Sequence, residues 1–229
     1  MCGRFTLTAP YDVIYDYFGI GDETPQPVFK PRYNIAPSQD IAVVIKLPDQ
    51  ASRHLAMMHW GLIPHWTRDL KGDKKIGYRM INAKAETLAE KPSFRTAYRK
   101  RRCLIPADGY YEWKQLKDRK QPYYIHYHHH DLFAFAGLWE QWQGEQEEIY
   151  SCTIITTDAN ETVKPIHNRM PVVIEPDDYD IWLDPEHQDT ADLQELLKPH
   201  DGDFKAYPVS TRVNKPANDD AGCIERLEY

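Results

Sequence analysis

The sequence predicts an α+β fold: one domain over residues 1–229, with a mostly antiparallel β core flanked by short helices. Three observations carry this. Strand-like runs dominate, helical patterns are few and short, and the two do not alternate as a doubly wound parallel sheet requires. Ile41–Leu47 (IAVVIKL) is a β-branched run, and His54–Trp60 follows a turn-like Pro-Asp-Gln segment. Cys103–Ala107, Gly109–Lys114, Pro122–His128, Leu132–Leu138 and Ile149–Thr157 are rich in aromatic and aliphatic residues, with Pro171–Ile174 a shorter run of the same kind. Helices are expected at Tyr11–Phe18, with Asp12 in the first turn, at Phe94–Arg101, at Asp177–Leu183 after Pro176, and at Thr190–Leu197. The last has Leu193, Leu196 and Leu197 at helical spacing. Arg32–Pro37 reads as a rigid loop ahead of a strand, and the 17 prolines mark many short, stiff connections.

A chain of 229 residues is long enough for one sizeable core, and a hydrophobic share of 41% excludes a disordered chain. No apolar run approaches the ~18–20 residues of a membrane span. The start, Met-Cys-Gly-Arg-Phe-Thr-Leu, has no apolar signal region, so reduced thiols in the cytoplasm are expected. Cys2, Cys103, Cys152 and Cys223 lie far apart and form no C-x-x-C pair. The net charge of −7 argues against a nucleic-acid partner until the chain is divided. Residues 1–120 hold 21 Lys+Arg and 13 Asp+Glu, a net of +8; residues 121–229 hold 7 and 22, a net of −15. A basic half forms a positive face even in an acidic protein, although charge runs such as Arg68, Lys71, Lys74, Lys75 and Arg79 are also ordinary solvated surface.

Five features bear chemistry. With Met1 removed, Cys2 carries a free α-amine beside its thiol, a 1,2-aminothiol that no internal residue supplies. The amine, with a reference pKa of ~7.7–8.0, condenses with aldehydes, and the thiol then closes a thiazolidine ring. Alternatively the thiol attacks an acyl group, or Cys2 is an ordinary second residue. Glu112 lies in the strand Asp108-Gly-Tyr-Tyr-Glu-Trp-Lys114, where alternation puts Tyr110, Glu112 and Lys114 on one face and Tyr111 and Trp113 on the other. In a hydrophobic pocket it is an acid or base near neutrality; otherwise it is half of a salt bridge. His167, in a turn before an apolar strand, is a candidate proton shuttle or a surface histidine. Asn82 is placed to orient a nucleophile or carbonyl, or to cap the segment after it. Pro37 and Trp66 sit in stiff loops suited to wedging between bases or stacking on them, whereas Trp60 on a strand reads as core. Beyond Asp131, the histidines His126, His128, His129 and His130 have no carboxylate or cysteine partner at ligand spacing, and no metal or other cofactor is expected.

Together the blocks Met-Cys-Gly-Arg-Phe, Arg32-Tyr-Asn-Ile-Ala-Pro37, Trp60-Gly61, Ile81-Asn82-Ala83, Ala107–Lys114 and His167-Asn-Arg-Met-Pro171 resemble the signature of the SOS response-associated peptidase (SRAP) family. They occur in family order over nearly the whole chain, and the short length is similar to that of bacterial members. The resemblance implies a β-rich SRAP domain that processes abasic sites. It implies Cys2 as the residue that crosslinks to the ring-opened sugar, Glu112 and His167 as an acid/base pair, and Asn82 as a holder of the sugar and the N-terminus. It further implies that Arg4, Lys84 and Arg169 contact phosphates, and that Asn34, Pro37 and Trp66 form the DNA-binding wedge. Lys84 stands where arginine is frequent, which keeps the charge but loses the bidentate fork. Thr67 follows Trp66 where some members carry a second tryptophan.

The expected partner is single-stranded DNA containing abasic sites, with single-strand/double-strand junctions as one setting. No membrane partner is expected, the expected state is a monomer, and association with the nucleoid follows DNA binding. Two rival readings remain: an N-terminal-cysteine amidotransferase, whose glutaminase domains also begin Met-Cys-Gly, and a non-covalent single-stranded DNA-binding module with salt-reversible binding.

Overall fold

A computed structural model of the protein describes residues 2–21, 30–48, 50–68, 80–127 and 132–228. Met1, Lys71, Lys74, Lys75, Arg79, His128, His129 and His130, each named above, lie outside these residues. The described strands are β1 (Phe5–Leu7), β2 (Arg32–Ile35), β3 (Asp40–Lys46), β4 (Arg53–Trp60), β5 (Asn82–Lys84), β6 (Arg102–Ala107) and β7 (Gly109–Gln115). They continue with β8 (Lys120–Tyr127), β9 (Phe133–Gln143), β10 (Glu148–Asp158), β11 (Arg169–Pro171), β12 (Val173–Ile174) and β13 (Phe204–Pro208). Among the described residues four short helices accompany them: α1 (Tyr11–Phe18), α2 (Arg95–Lys100), α3 (Tyr179–Leu183) and α4 (Thr190–Glu195).

The strands form two sheets. One has the order β13-β8-β7-β1-β2. In the other, β10-β4-β3-β6-β9 closes on itself through a β9–β10 pairing, so that sheet curls into a small barrel. Most pairs are antiparallel, as expected, but β4 and β5 both run parallel to β10. The expected strand Pro171–Ile174 is divided: β11 pairs with β10 and β12 with β9, while Val172 between them bonds to both Ile155 and Ala136. The expected loop Arg32–Pro37 is corrected by β2, which pairs with β1 through Ile35 and Phe5. The Asp219 carboxylate reinforces it by accepting from the backbone N–H groups of Tyr33 and Asn34.

Local chemistry sets the helix ends. Helix α1 buries Ile14 and Phe18, one turn apart, and stops at Gly19, whose φ of 59° lies in the left-handed region that closes a helix cheaply for glycine. Helix α4 begins where the Asp189 side chain accepts the Ala191 N–H at 2.8 Å. Arg102 fastens α2 and α3 to the barrel: its buried guanidinium donates to the carbonyls of Tyr98, Arg99, Trp182, Asp184 and His187. No carboxylate balances that charge in these bonds, and burial lowers its pKa to about 10.

The core between the sheets is aromatic. Phe5 meets Trp60 edge-on at 5.2 Å and Phe135 at 5.8 Å, and Tyr110 meets Phe135 at 5.9 Å. Trp60 is fully buried, in keeping with its expected core role. Because β1 enters the sheet between β2 and β7 and Phe5 is locked in this cluster, Cys2, three residues upstream, is held against the core.

Candidate active site

Strand β7 positions the first group. Tyr110 faces the main core, Tyr111 and Trp113 pack on the opposite side, and Glu112 follows Tyr110 inward, as alternation predicts. Glu112 is 3% exposed, which answers the open question between solvent and pocket. Burial raises its carboxyl pKa above the usual range, an effect that a charge on His167 partly offsets. Glu112, Trp113, Lys120, His167 and Asn214 line one cavity of about 490 Å³.

Cys2 is completely buried, within reach of the charge on Glu112. Burial, and next the negative charge of Glu112, push its thiol pKa well up, so the resting sulfur is a thiol rather than a thiolate. Its carbonyl oxygen accepts a 2.8 Å hydrogen bond from Asn82 Nδ2. Asn82 reaches this point because β5 lies alongside β10, with Asn82 opposite Ile154. It therefore belongs to a strand and does not cap a helix. His167 is fixed by its neighbour, the Arg169 backbone N–H donating to Nδ1 at 3.0 Å. The structure thus gathers Cys2, Asn82, Glu112 and His167, four residues from distant parts of the chain.

The expected DNA-contact residues divide. Trp66 is 54% exposed, in a loop tied down at both ends. Ile63 N–H donates to Ser151 Oγ and Trp142 Nε1 donates to Thr67 O, both at 2.8 Å. His65 pairs with the buried Glu140 at 3.3 Å, and Arg101 meets the same carboxylate at 2.7 Å. Pro37 is half-buried in the turn after β2, and Lys84 is exposed at the end of β5.

Asn34, Arg4 and Arg169 each have partners within the protein. Asn34 is fully buried, its Nδ2 donating to Val213, Lys215 and Asn218 carbonyls and its Oδ1 accepting from Arg4. Its side chain is consumed in binding the C-terminal tail to β2, because those carbonyls have no sheet partner there. Arg4 Nη1 donates to Asn34 at 2.7 Å and to Val213 O at 2.6 Å, and its guanidinium lies 5.8 Å from the Trp113 ring centre. Arg169 grips Glu86 with both terminal nitrogens, at 2.6 and 3.0 Å, and also meets Asp158 at 2.9 Å.

Sequence reading missed Lys120 and Asn214 as cavity residues. Lys120 opens β8 opposite Gln115, and Asn214 Oδ1 accepts the Trp113 indole N–H at 2.8 Å. Neither carries a local signal; both arrive through tertiary structure. His126, from the histidine cluster, stacks on Tyr124 at 5.7 Å away from this cavity, beside a second pocket that it lines with Asp108 and Tyr207.

The family model for SOS response associated peptidase (SRAP) matches residues 1–216. The chain belongs to the SRAP family. Among curated SRAP relatives, the abasic site processing protein YoqW of Bacillus subtilis (strain 168) is 47% identical over 98% of this chain and 99% of its own. The abasic site processing protein HMCES of Xenopus tropicalis is 32% identical over 99% of this chain and 78% of its own length. A crystal structure of a Bacteroides thetaiotaomicron protein superposes with a TM-score of 0.89 at 28% identity, covering 99% of this chain and all of the other. This SRAP domain is thus α+β with antiparallel-rich sheets, as the sequence predicts, and no described helix is long and apolar enough to cross a membrane.

Proposed function

We propose that the protein processes abasic sites in single-stranded DNA by covalent capture on Cys2. The supporting observation is the placement of Cys2: buried beside Glu112, with its carbonyl held by Asn82. Names of relatives across almost the full length of the chain favour the same reading.

The chemistry follows from the protonation states. Loss of Met1, by self-processing through the same thiol, frees the α-amine. That amine attacks C1′ of the ring-opened sugar and water leaves, giving an imine. The thiol is protonated at rest, so it acts second. Glu112, its pKa raised by burial, takes the thiol proton as sulfur bonds to C1′, and the imine nitrogen gains a proton in return. The product is a thiazolidine, and no net proton is consumed in closure. His167 moves protons during ring opening and loss of water. An unclosed imine also permits elimination of the 3′ phosphate, a lyase side reaction that ring closure suppresses. Trp66 and Pro37 engage flanking bases, and Lys84 a phosphate.

The decisive experiment incubates the protein with a single-stranded oligonucleotide containing one abasic site and measures intact mass. Wild type is expected to lack Met1 and to gain one strand minus water, in a complex that survives hot detergent. Cys2→Ala is expected to form none; an unchanged adduct from that variant defeats the proposal.

A further inference from the structure

Trp66 is the second central residue of a turn, Pro64–Thr67, closed by the Thr67 N–H donating to the Pro64 carbonyl at 3.0 Å. Turns of this length share their end positions but differ in the peptide between the central residues, and that peptide sets where the second side chain points. Holding the two ends alone leaves the direction of the indole open. His65, the first central residue, closes that freedom.

His65 comes down on Glu140, a buried carboxylate on β9. Oε1 of Glu140 accepts from Arg101 Nη2 at 2.7 Å, while Oε2 has no hydrogen-bond partner among the described residues. His65 Nδ1 lies 3.3 Å from Oε2. A hydrogen on Nδ1 supplies the missing donor whether the ring is neutral or charged, and a buried carboxylate oxygen without one is costly. Arg101 cannot follow the loop, because the Trp139 N–H donates to its carbonyl at 2.9 Å and fixes it to β9.

The neighbours of Glu140 act on the same loop. Ser151 stands opposite it in the β9–β10 register and holds Ile63, and Trp142, two residues further along β9, holds Thr67. Glu140 is thus the middle of three grips, on residues 63, 65 and 67, and the skipped Trp66 is the exposed one.

We propose that Glu140 is a positioning residue for strand binding: it holds His65 and so fixes the Pro64–Thr67 turn in the form that offers the Trp66 indole to a base. This rests on the abasic-DNA reading, with Trp66 as a stacking residue, and adds to it the group that aims the ring. Charge alone predicts the opposite effect, since removing a carboxylate near a polyanion tightens binding.

The test measures binding of a single strand containing a tetrahydrofuran abasic analogue, which has no aldehyde, by wild type, Glu140→Gln, His65→Ala and Trp66→Ala, and by each of the first two substitutions combined with Trp66→Ala. Glu140→Gln keeps an acceptor for Arg101. It is expected to weaken binding about 3- to 10-fold, a part of what one stacked base contributes. His65→Ala, at the surface, is expected to do the same at an unchanged salt slope, and it carries the test where the buried substitution unfolds the protein. With Trp66 already replaced, neither change is expected to weaken binding further, because the two act through one group. In capture of a true abasic strand, the loss is expected in the half-saturating strand concentration and not in the rate at saturation. Binding by the single variants as tight as wild type or tighter, a full loss that persists beside Trp66→Ala, or a lowered salt slope for His65→Ala overturns the positioning role. If Trp66→Ala alone binds like wild type, the stacking reading fails and takes this role with it. If wild type forms no adduct, the capture reading fails, while the analogue series still decides whether Glu140 aims Trp66.

Discussion

Asn82 Nδ2 donates to the carbonyl oxygen of Cys2 at 2.8 Å, so a short strand paired with β10 holds the chain's second residue in place. The bond fixes the peptide unit next to the reacting amine and thiol without touching either. Its value is orientation, and a misplacement of about 1 Å at a reacting centre costs on the order of 100-fold in rate. Asn82→Ala is therefore expected to slow single-turnover capture by roughly 10- to 100-fold. Affinity for an intact strand should stay within about 2-fold, because Asn82 does not lie at the wedge loops. Equal losses in binding and rate would contradict a positioning role.

Glu112 is asked to be both buried and ionisable, and these demands oppose each other. Burial raises its folded-state pKa above the ~4.3 of an unfolded glutamate. The neutral carboxyl thus favours the folded state. This contribution is complete below the unfolded value and is lost as the pH climbs through the folded one. Glu112→Gln stays neutral at every pH. Its thermal midpoint is expected to exceed that of wild type near pH 8 and to converge with it near pH 4. Capture should fall by about 100-fold or more and lose the limb that rises with carboxylate ionisation. A variant less stable than wild type at pH 8 would show that Glu112 is structural.

Much of this arrangement was legible in the sequence wherever the local pattern and the tertiary environment agree. The run Ile41–Leu47 reads as a strand and becomes β3, Asp40–Lys46, because β-branched residues suit a surface covered on both sides. Tyr11–Phe18 reads as a helix and is one, with Gly19 to end it. The strands β1, β2, β5 and β13 were not legible. They are short and partly polar, and pairing partners far along the chain make them strands: Asp219 and Phe5 for β2, Ile154 to Thr156 for β5. The same limit governs the site. Alternation put Glu112 on the face of Tyr110, but only packing shows that this face is covered. Nothing in the letters around Asn34 signals that the tail returns to meet it.

Asn34 illustrates the cost of that return. Its amide serves Val213, Lys215 and Asn218 and steadies Arg4, while Asn214 within the same tail holds Trp113 at the cavity. Asn34→Ala leaves several carbonyls and a guanidinium short of partners in a buried place. It is expected to cost about 2–4 kcal/mol in denaturant unfolding. Capture should decline as well, through a loosened Trp113 wall. A loss of DNA affinity at full stability would instead return Asn34 to direct contact with the strand.

Trp66 offers the opposite case, an exposed aromatic whose loop does not depend on it. Ser151, Trp142 and Glu140 hold the loop through Ile63, Thr67 and His65, and none of these contacts uses the indole. Trp66→Ala is expected to leave stability within about 0.5 kcal/mol of wild type, since no buried contact is removed. Base stacking on an aromatic side chain contributes roughly 1–3 kcal/mol per base. Affinity for single-stranded DNA should accordingly fall about 5- to 100-fold, with little dependence on sequence. The salt slope should not change, because no charge is lost. Fluorescence anisotropy at several salt concentrations, with thermal melts of the same samples, separates the two effects. Unaltered affinity would leave this tryptophan without a part in strand binding, and a lowered midpoint would mean that it packs against the protein.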